Sequence, residues 1–207
     1  MIKICGITSA ADALAAAAAG ADAVGFVFAP RSPRRVSAAA AAAIAAQLPA
    51  HVLKVGVFAN ADPAEIRATA DAASLDLLQL HGREPSALAR YFAPRPIWKA
   101  LHMGAPGYLE TAAEWGECAA ALLLDSGGGT GRVFDWRQVA AFEGQKLIIA
   151  GGLTPENVAE CIARTGPWGV DVSSGVESAP GRKDPARVRD FIRAAQAAFA
   201  SLYAKKV

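Results

Sequence analysis

Cys5 and Asp125 stand where apolar segments end, Ile2–Cys5 and Ala119–Leu124, and a thiol and a carboxyl can both move protons. A thiol accepts a proton only as thiolate, so Cys5 needs surroundings that lower its pKa. Lys3 and Gly6 beside it would leave the strand end open. The same residue also fits a small buried hydrophobe. Asp125 opens the segment Ser126-Gly127-Gly128-Gly129-Thr130-Gly131-Arg132. An aspartate before glycines can simply cap a turn, or it can work beneath a loop that closes over a ligand. The segment is no Walker A loop, because its glycine spacing differs and the key lysine is missing.

Two further segments favour an anion, although their glycines could also serve only tight packing. Ala150-Gly151-Gly152-Leu153-Thr154-Pro155 and Val172-Ser173-Ser174-Gly175 follow the last two apolar runs. Small residues let backbone N–H groups approach a phosphate, and the start of a helix adds a favourable dipole. Gly151, Gly152, Ser173, Ser174 and Gly175 are the expected phosphate-binding residues. Asp171 lies between valines, where a carboxylate needs partners. Those partners could be sugar hydroxyls, backbone donors or a lysine. Arg34 and Arg35 belong to a loop in which an arginine could grip a carboxylate bidentately. Gln79 and His81 end another apolar run, and either could line a pocket.

The elements that must hold these groups alternate in kind. Short apolar segments read as strands buried on both faces: Ile2–Cys5, Ala23–Phe28, Val52–Phe58, Leu75–Leu80, Ile97–Leu101, Ala119–Leu124, Leu147–Ala150 and Val170–Val172. Alanine-rich segments between them read as helices: Ser9–Ala19, Ser37–Gln47, Pro63–Ala73, Pro85–Tyr91, Gly107–Trp115, Trp136–Phe142, Pro155–Arg164 and Pro185–Tyr203. Ser37, Asp62-Pro63 and Thr154-Pro155-Glu156 are start signals, and Gly20 and Gly166 are stops. Strands alternating with helices give a parallel sheet with right-handed crossovers. Eight repeats predict one α/β domain over residues 1–207, a single (β/α)8 TIM barrel. An open dinucleotide-binding sheet would want GxGxxG after its first strand, where this chain has Cys-Gly-Ile-Thr-Ser. In a barrel the chemistry sits at the C-terminal strand ends, which is where Cys5 and Asp125 fall.

Composition narrows the class. Hydrophobic residues make up 53% of the 207, enough for a large core, yet no uncharged apolar run is long enough to span a membrane. A net charge of +2, without a basic block, gives no nucleic-acid signature. The start, MIKICGITSAAD, does not read as a secretory leader. Three cysteines, Cys5, Cys118 and Cys161, suit a reducing cytoplasm better than a disulfide framework. Neither they nor His51, His81 and His102 have zinc spacing, so no metal and no cofactor is expected.

Taken together, several segments resemble the phosphoribosylanthranilate isomerase family. They are Lys3-Ile4-Cys5-Gly6-Ile7-Thr8, the run from Gly20 to Phe28, Leu78-Gln79-Leu80-His81-Gly82, Leu122-Leu123-Leu124-Asp125-Ser126, the stretch Gly131–Trp136, Ala150–Val158, and Asp171-Val172-Ser173-Ser174-Gly175-Val176-Glu177. They span nearly the whole chain in the family's order. The chain departs from the pattern at Arg132, where many relatives carry lysine, and in the doubled Arg34-Arg35. The resemblance implies an Amadori rearrangement of N-(5-phosphoribosyl)anthranilate in tryptophan biosynthesis. It implies Cys5 as general base and Asp125 as general acid, with Arg34 on the anthranilate carboxylate. His81 and Asp171 would bind substrate, Asp171 near the sugar, and the glycine and serine loops would bind the phosphate. The implied partner is this small phosphosugar, handled by a monomer or homodimer, with no nucleic acid or membrane involved. A metal-dependent pentose-phosphate epimerase, an indole-glycerol-phosphate synthase with a lysine acid, and a non-catalytic phosphosugar binder fit the residues less well.

Overall fold

Strands that are apolar on both faces need cover on both sides, and a barrel sheathed in helices supplies it. The computed structural model describes residues 1–127, 133–142 and 144–204. The expected lid residues Gly128, Gly129, Thr130, Gly131 and Arg132 therefore lie outside the described residues.

Eight parallel strands close in sequence order: β1 (Ile2–Cys5), β2 (Ala23–Val27), β3 (Leu53–Phe58), β4 (Leu77–Leu80), β5 (Ile97–His102), β6 (Ala121–Asp125), β7 (Leu147–Ile149) and β8 (Gly169–Val172). β1 pairs with β2 on one side and β8 on the other, which seals the ring. The single (β/α)8 barrel expected from the sequence is the observed fold.

Successive side chains of a strand point to opposite faces, and this sorts the core in two. Ile4, Val24, Phe26, Leu78, Leu80, Leu122, Leu124 and Ile149 face outward to the helices. Ala23, Val55, Leu77, Trp98, Ala100, Leu123 and Ile148 fill the barrel. The same period of two puts Lys3 and Cys5 on the inner face of β1, and Leu123 and Asp125 on that of β6.

The covering helices are α1 (Ala10–Ala19), α2 (Ala38–Ala45), α3 (Pro63–Ala72), α4 (Leu88–Phe92), α5 (Tyr108–Trp115), α6 (Val158–Thr165) and α7 (Pro185–Ala204). Ser9, Ser37 and Asp62 cap α1, α2 and α3 by accepting from backbone N–H groups. Gly20 (φ 98°) and Gly166 (φ 55°) end α1 and α6 in the left-handed conformation.

Some expected boundaries move. The expected sixth helix, Trp136–Phe142, is a 3-10 helix. Its inward residues Trp136, Val139 and Phe142 recur every three positions, the period of that tighter helix. α6 starts at Val158 rather than Pro155, because the Asn157 side chain is committed to the loop before it: it accepts from Thr154 N–H at 2.8 Å and donates to the Gly152 carbonyl at 3.0 Å. Asp125 belongs to β6, paired with His102, rather than following the strand.

A two-stranded hairpin, β9 (Glu177–Ala179) and β10 (Arg182–Lys183), was not expected. It turns through Pro180-Gly181, with Gly181 at φ 79°, and a Pro-Gly pair is the local signal that could have revealed it.

Candidate active site

A cavity of about 290 Å³ opens at the C-terminal ends of the strands. Its lining includes every site residue expected from the sequence. Cys5 and Asp125 come from β1 and β6, Arg34 from the β2–α2 loop, His81 from the end of β4 and Asp171 from β8. Gly151 and Gly152 follow β7, and Ser173, Ser174 and Gly175 follow β8. β1 and β6 are three places apart around the ring, so thiol and carboxyl stand on different sides of one opening. Arg35 is exposed and does not line the cavity.

The thiol sits above a buried ion pair. Lys3 Nζ, fully buried, is 2.9 Å from Asp171 Oδ1. Of the partners left open by the sequence, Asp171 thus takes a lysine. Lys3 does not leave the strand end open, as its neighbourhood to Gly6 had suggested; it is sealed inside the barrel. Burial works to lower the Lys3 pKa, but the Asp171 carboxylate and the adjoining Cys5 outweigh it and the net shift is upward. Burial pushes the Cys5 thiol up, and the Lys3 ammonium is the largest influence holding it down. Of the surroundings that the sequence left open for Cys5, burial is the strongest, and the net shift of the thiol is upward.

Asp125 is held in a different way. Its Oδ1 accepts from Gly127 N–H at 2.8 Å, while Oδ2 lies 3.6 Å from His81 Nε2. Gln79 Nε2 is 3.0 Å from His81 Nδ1. In this orientation of the amide, Gln79 donates to Nδ1, which leaves the imidazole proton on Nε2, facing Asp125. Burial pushes His81 down and His102 adds to this, against the pull of Asp125, so the ring is neutral at pH 7. Among the described residues the buried Gln79 Oε1 has no hydrogen-bond partner, and it belongs to a residue that lines the cavity.

Arg34 is fixed by Glu177 of the hairpin. Nε and Nη2 donate to the two carboxylate oxygens at 2.8 and 2.7 Å. Lys183 donates to the same carboxylate at 2.9 Å and to the Ser173 carbonyl at 3.2 Å. Two cations sharing one carboxylate leave a net positive charge. Burial and the two cations compete over Glu177, and the cations prevail, holding it below the usual carboxylate range. Sequence reasoning passed over Glu177 and Lys183 because their function depends on the hairpin.

Glycine is required at two of these approaches. A Cβ on Gly6 (φ 74°) would lie 2.5 Å from Arg34 Cδ and 2.8 Å from Ser173 Oγ. One on Gly175 would lie 1.9 Å from the Leu153 carbonyl, so the loops after β7 and β8 touch there. Those two loops, with the short 3-10 turn Ser174–Val176, form the place where barrels of this type take phosphate. Val27, Ala29, Val57 and Ala59 form an apolar wall on the Arg34 side of the opening. Among the described residues no group of His, Cys, Asp and Glu could hold a metal ion, and no helix is long and apolar enough to cross a membrane.

Fold and site together define a (β/α)8 barrel whose cavity brings a thiol and a carboxyl together with glycine- and serine-rich loops. Comparison with known proteins gives the family. The family model N-(5′-phosphoribosyl)anthranilate isomerase matches residues 2–194. The N-(5′-phosphoribosyl)anthranilate isomerase of Pseudomonas fluorescens is 49% identical, over 93% of this chain and 96% of its own. A phosphoribosyl anthranilate isomerase solved in complex with reduced 1-(o-carboxyphenylamino)-1-deoxyribulose 5-phosphate superposes with TM-score 0.86 and 41% identity, over 95% of this chain and 98% of that one. A monomer form generated from the dimeric enzyme of Thermotoga maritima matches with the same score, identity and coverage. The chain belongs to the N-(5′-phosphoribosyl)anthranilate isomerase family, and it is an isomerase.

Proposed function

We propose that this isomerase converts N-(5-phosphoribosyl)anthranilate to 1-(2-carboxyphenylamino)-1-deoxyribulose 5-phosphate, a step of tryptophan biosynthesis, with Asp125 as general acid and Cys5 as general base. The observation that carries the reading is the placing of a buried thiol and a carboxyl on separate strands of one cavity, with the glycine and serine loops beside them. A phosphate on Gly151, Gly152, Ser173, Ser174 and Gly175 anchors the sugar between the two groups. The apolar wall accommodates the aromatic ring, and Arg34 Nη1 takes its carboxylate where the Arg34–Lys183–Glu177 cluster has one positive charge to spare. Asp171 and His81 then border the ribose.

Asp125 gives a proton to the ring oxygen as the anthranilate nitrogen pushes in. The furanose opens to an iminium, which acidifies the C2 proton. Cys5 removes that proton, and the enolamine tautomerises to the ketone. Each transfer asks for acid–base help of roughly 10²–10⁴ in rate, and proton transfers alone account for the whole conversion. The three cysteines are free, in keeping with work in the cytoplasm. The chain works as a monomer or homodimer; a relative from Thermotoga maritima is dimeric.

The test mixes the protein with freshly made phosphoribosylanthranilate and follows the substrate's fluorescence. The signal should decay faster than spontaneous hydrolysis allows. Cys5→Ser and Asp125→Asn should each lose about 10² or more in kcat while still binding a product analogue. Turnover near that of the parent in either variant removes that residue from its role.

A further inference from the structure

We propose that Lys3 is the positioning residue for the thiol: its buried ammonium, clamped by Asp171, is the counter-charge beside which the Cys5 thiolate forms. The inference rests on the reading of Cys5 as the base, and it explains how a thiol sealed in a barrel can become one.

The geometry is specific. Lys3 and Cys5 are two residues apart on β1, so both side chains enter the barrel on the same face, one layer above the other. β2 presents Gly25 opposite them. A Cβ there would lie 2.8 Å from Cys5 Sγ, 3.0 Å from Lys3 Cε and 3.1 Å from Lys3 Nζ, so thiol and ammonium converge on the space a side chain would fill. β8 supplies Asp171, which fixes the ammonium at 2.9 Å. A lysine in so dry a place would otherwise shed its proton. Asp171 keeps the charge present, and the thiolate is the group that can use it. From further off, Lys183 of the hairpin favours the thiolate, and Arg34 of the β2–α2 loop also feels the Cys5 charge; Asp171 opposes it. Cys161 shows what burial does without such a cation: on the buried face of α6, it is pushed up to about 12.

The proton count closes. The Cys5 S–H bond breaks and its proton leaves to solvent. The thiolate then takes the substrate's C2 proton, forming S–H again. The C–H electron pair becomes the C1–C2 double bond, and the iminium π pair moves onto nitrogen. Lys3 stays protonated throughout.

The experiment labels the native protein with iodoacetamide from pH 6 to 10 and quantifies each cysteine by peptide mass. Exposed Cys118 and buried Cys161 serve as references within the chain. Lys3→Met with Asp171→Asn removes both buried charges together, which spares the fold an unpaired ion. In this variant the Cys5 labelling midpoint should rise by about one pH unit or more, a loss of roughly tenfold in labelling rate below the midpoint. The midpoint of exposed Cys118 should stay where it is in the parent. A rise confined to Cys5 is something a merely structural pair would not produce. A folded double variant with an unmoved Cys5 midpoint overturns the proposal, as does a rise that Cys118 shares. Labelling is read without substrate. If Cys5→Ser turns over normally while these shifts appear, the base assignment fails and the ion-pair inference stands.

Discussion

In the proposed reaction Cys5, Asp125 and Arg34 each depend on one neighbour. For the thiol that neighbour is Lys3, for the carboxyl it is His81, and for the guanidinium it is Glu177. Arg34 tests the last of these most simply. Its bidentate grip on Glu177 spends Nε and Nη2 and leaves Nη1 toward a ligand carboxylate, whereas Arg35 is exposed and away from the cavity. Arg34→Ala should raise KM about tenfold or more, in line with the 1.5–3 kcal/mol of a charged hydrogen bond, and Arg35→Ala should leave it unchanged. Steady-state kinetics on both variants decides which arginine faces the substrate. The choice between two adjacent arginines was open in the sequence because neighbours on a loop have no fixed period; the Glu177 contact settles which one is held at the cavity.

At the scale of elements, the β9–β10 hairpin ties the loop after β2 to the loop after β8. Glu177 and Lys183 are buried within it, and Lys183 also bonds the Ser173 carbonyl. Glu177→Gln leaves Arg34 and Lys183 without a counter-ion and should cost about 3 kcal/mol. The effect depends on pH. The Glu177 carboxylate is held below its ordinary value by Arg34 and Lys183 working against burial, so its stabilisation is fully present above the unfolded carboxylate pKa and is lost as pH falls through the folded one. The Tm gap between parent and variant should be widest above about pH 5 and narrow below it; a gap independent of pH would show that the carboxylate's charge is not what holds the hairpin. Two helix starts were legible from their caps, Ser37 and Asp62, whereas the signal at Thr154-Pro155-Glu156 stands ahead of Val158, where α6 begins. The hairpin was not, since a three-residue strand and a two-residue strand are too short to show a period.

At the scale of the molecule, two of the buried ion pairs among the described residues lie on opposite sides of the barrel wall. Lys3–Asp171 is inside, beneath the cavity. Lys99–Glu84 is outside, with Lys99 Nζ 2.7 Å from Glu84 Oε2 and beside Trp115. Neither member of the outer pair lines the cavity, and the pair ties β5 to the loop after β4. Lys99→Met, which strands a buried carboxylate, should lower stability by about 3–5 kcal/mol and leave both kcat/KM and Cys5 labelling as in the parent; denaturant unfolding together with kinetics reads both. What the sequence by itself determined was the barrel and the membership of its rim. Alternating apolar and alanine-rich segments leave few other folds, and residues at the ends of parallel strands must gather at one mouth. What only the tertiary structure decided was which charges meet. Residue spacing along a strand fixes the face a side chain takes, but Lys3 and Asp171 are 168 positions apart, and Arg34 reaches Glu177 across 143. Ring closure alone brings them together, and with them the environment that sets each proton's affinity.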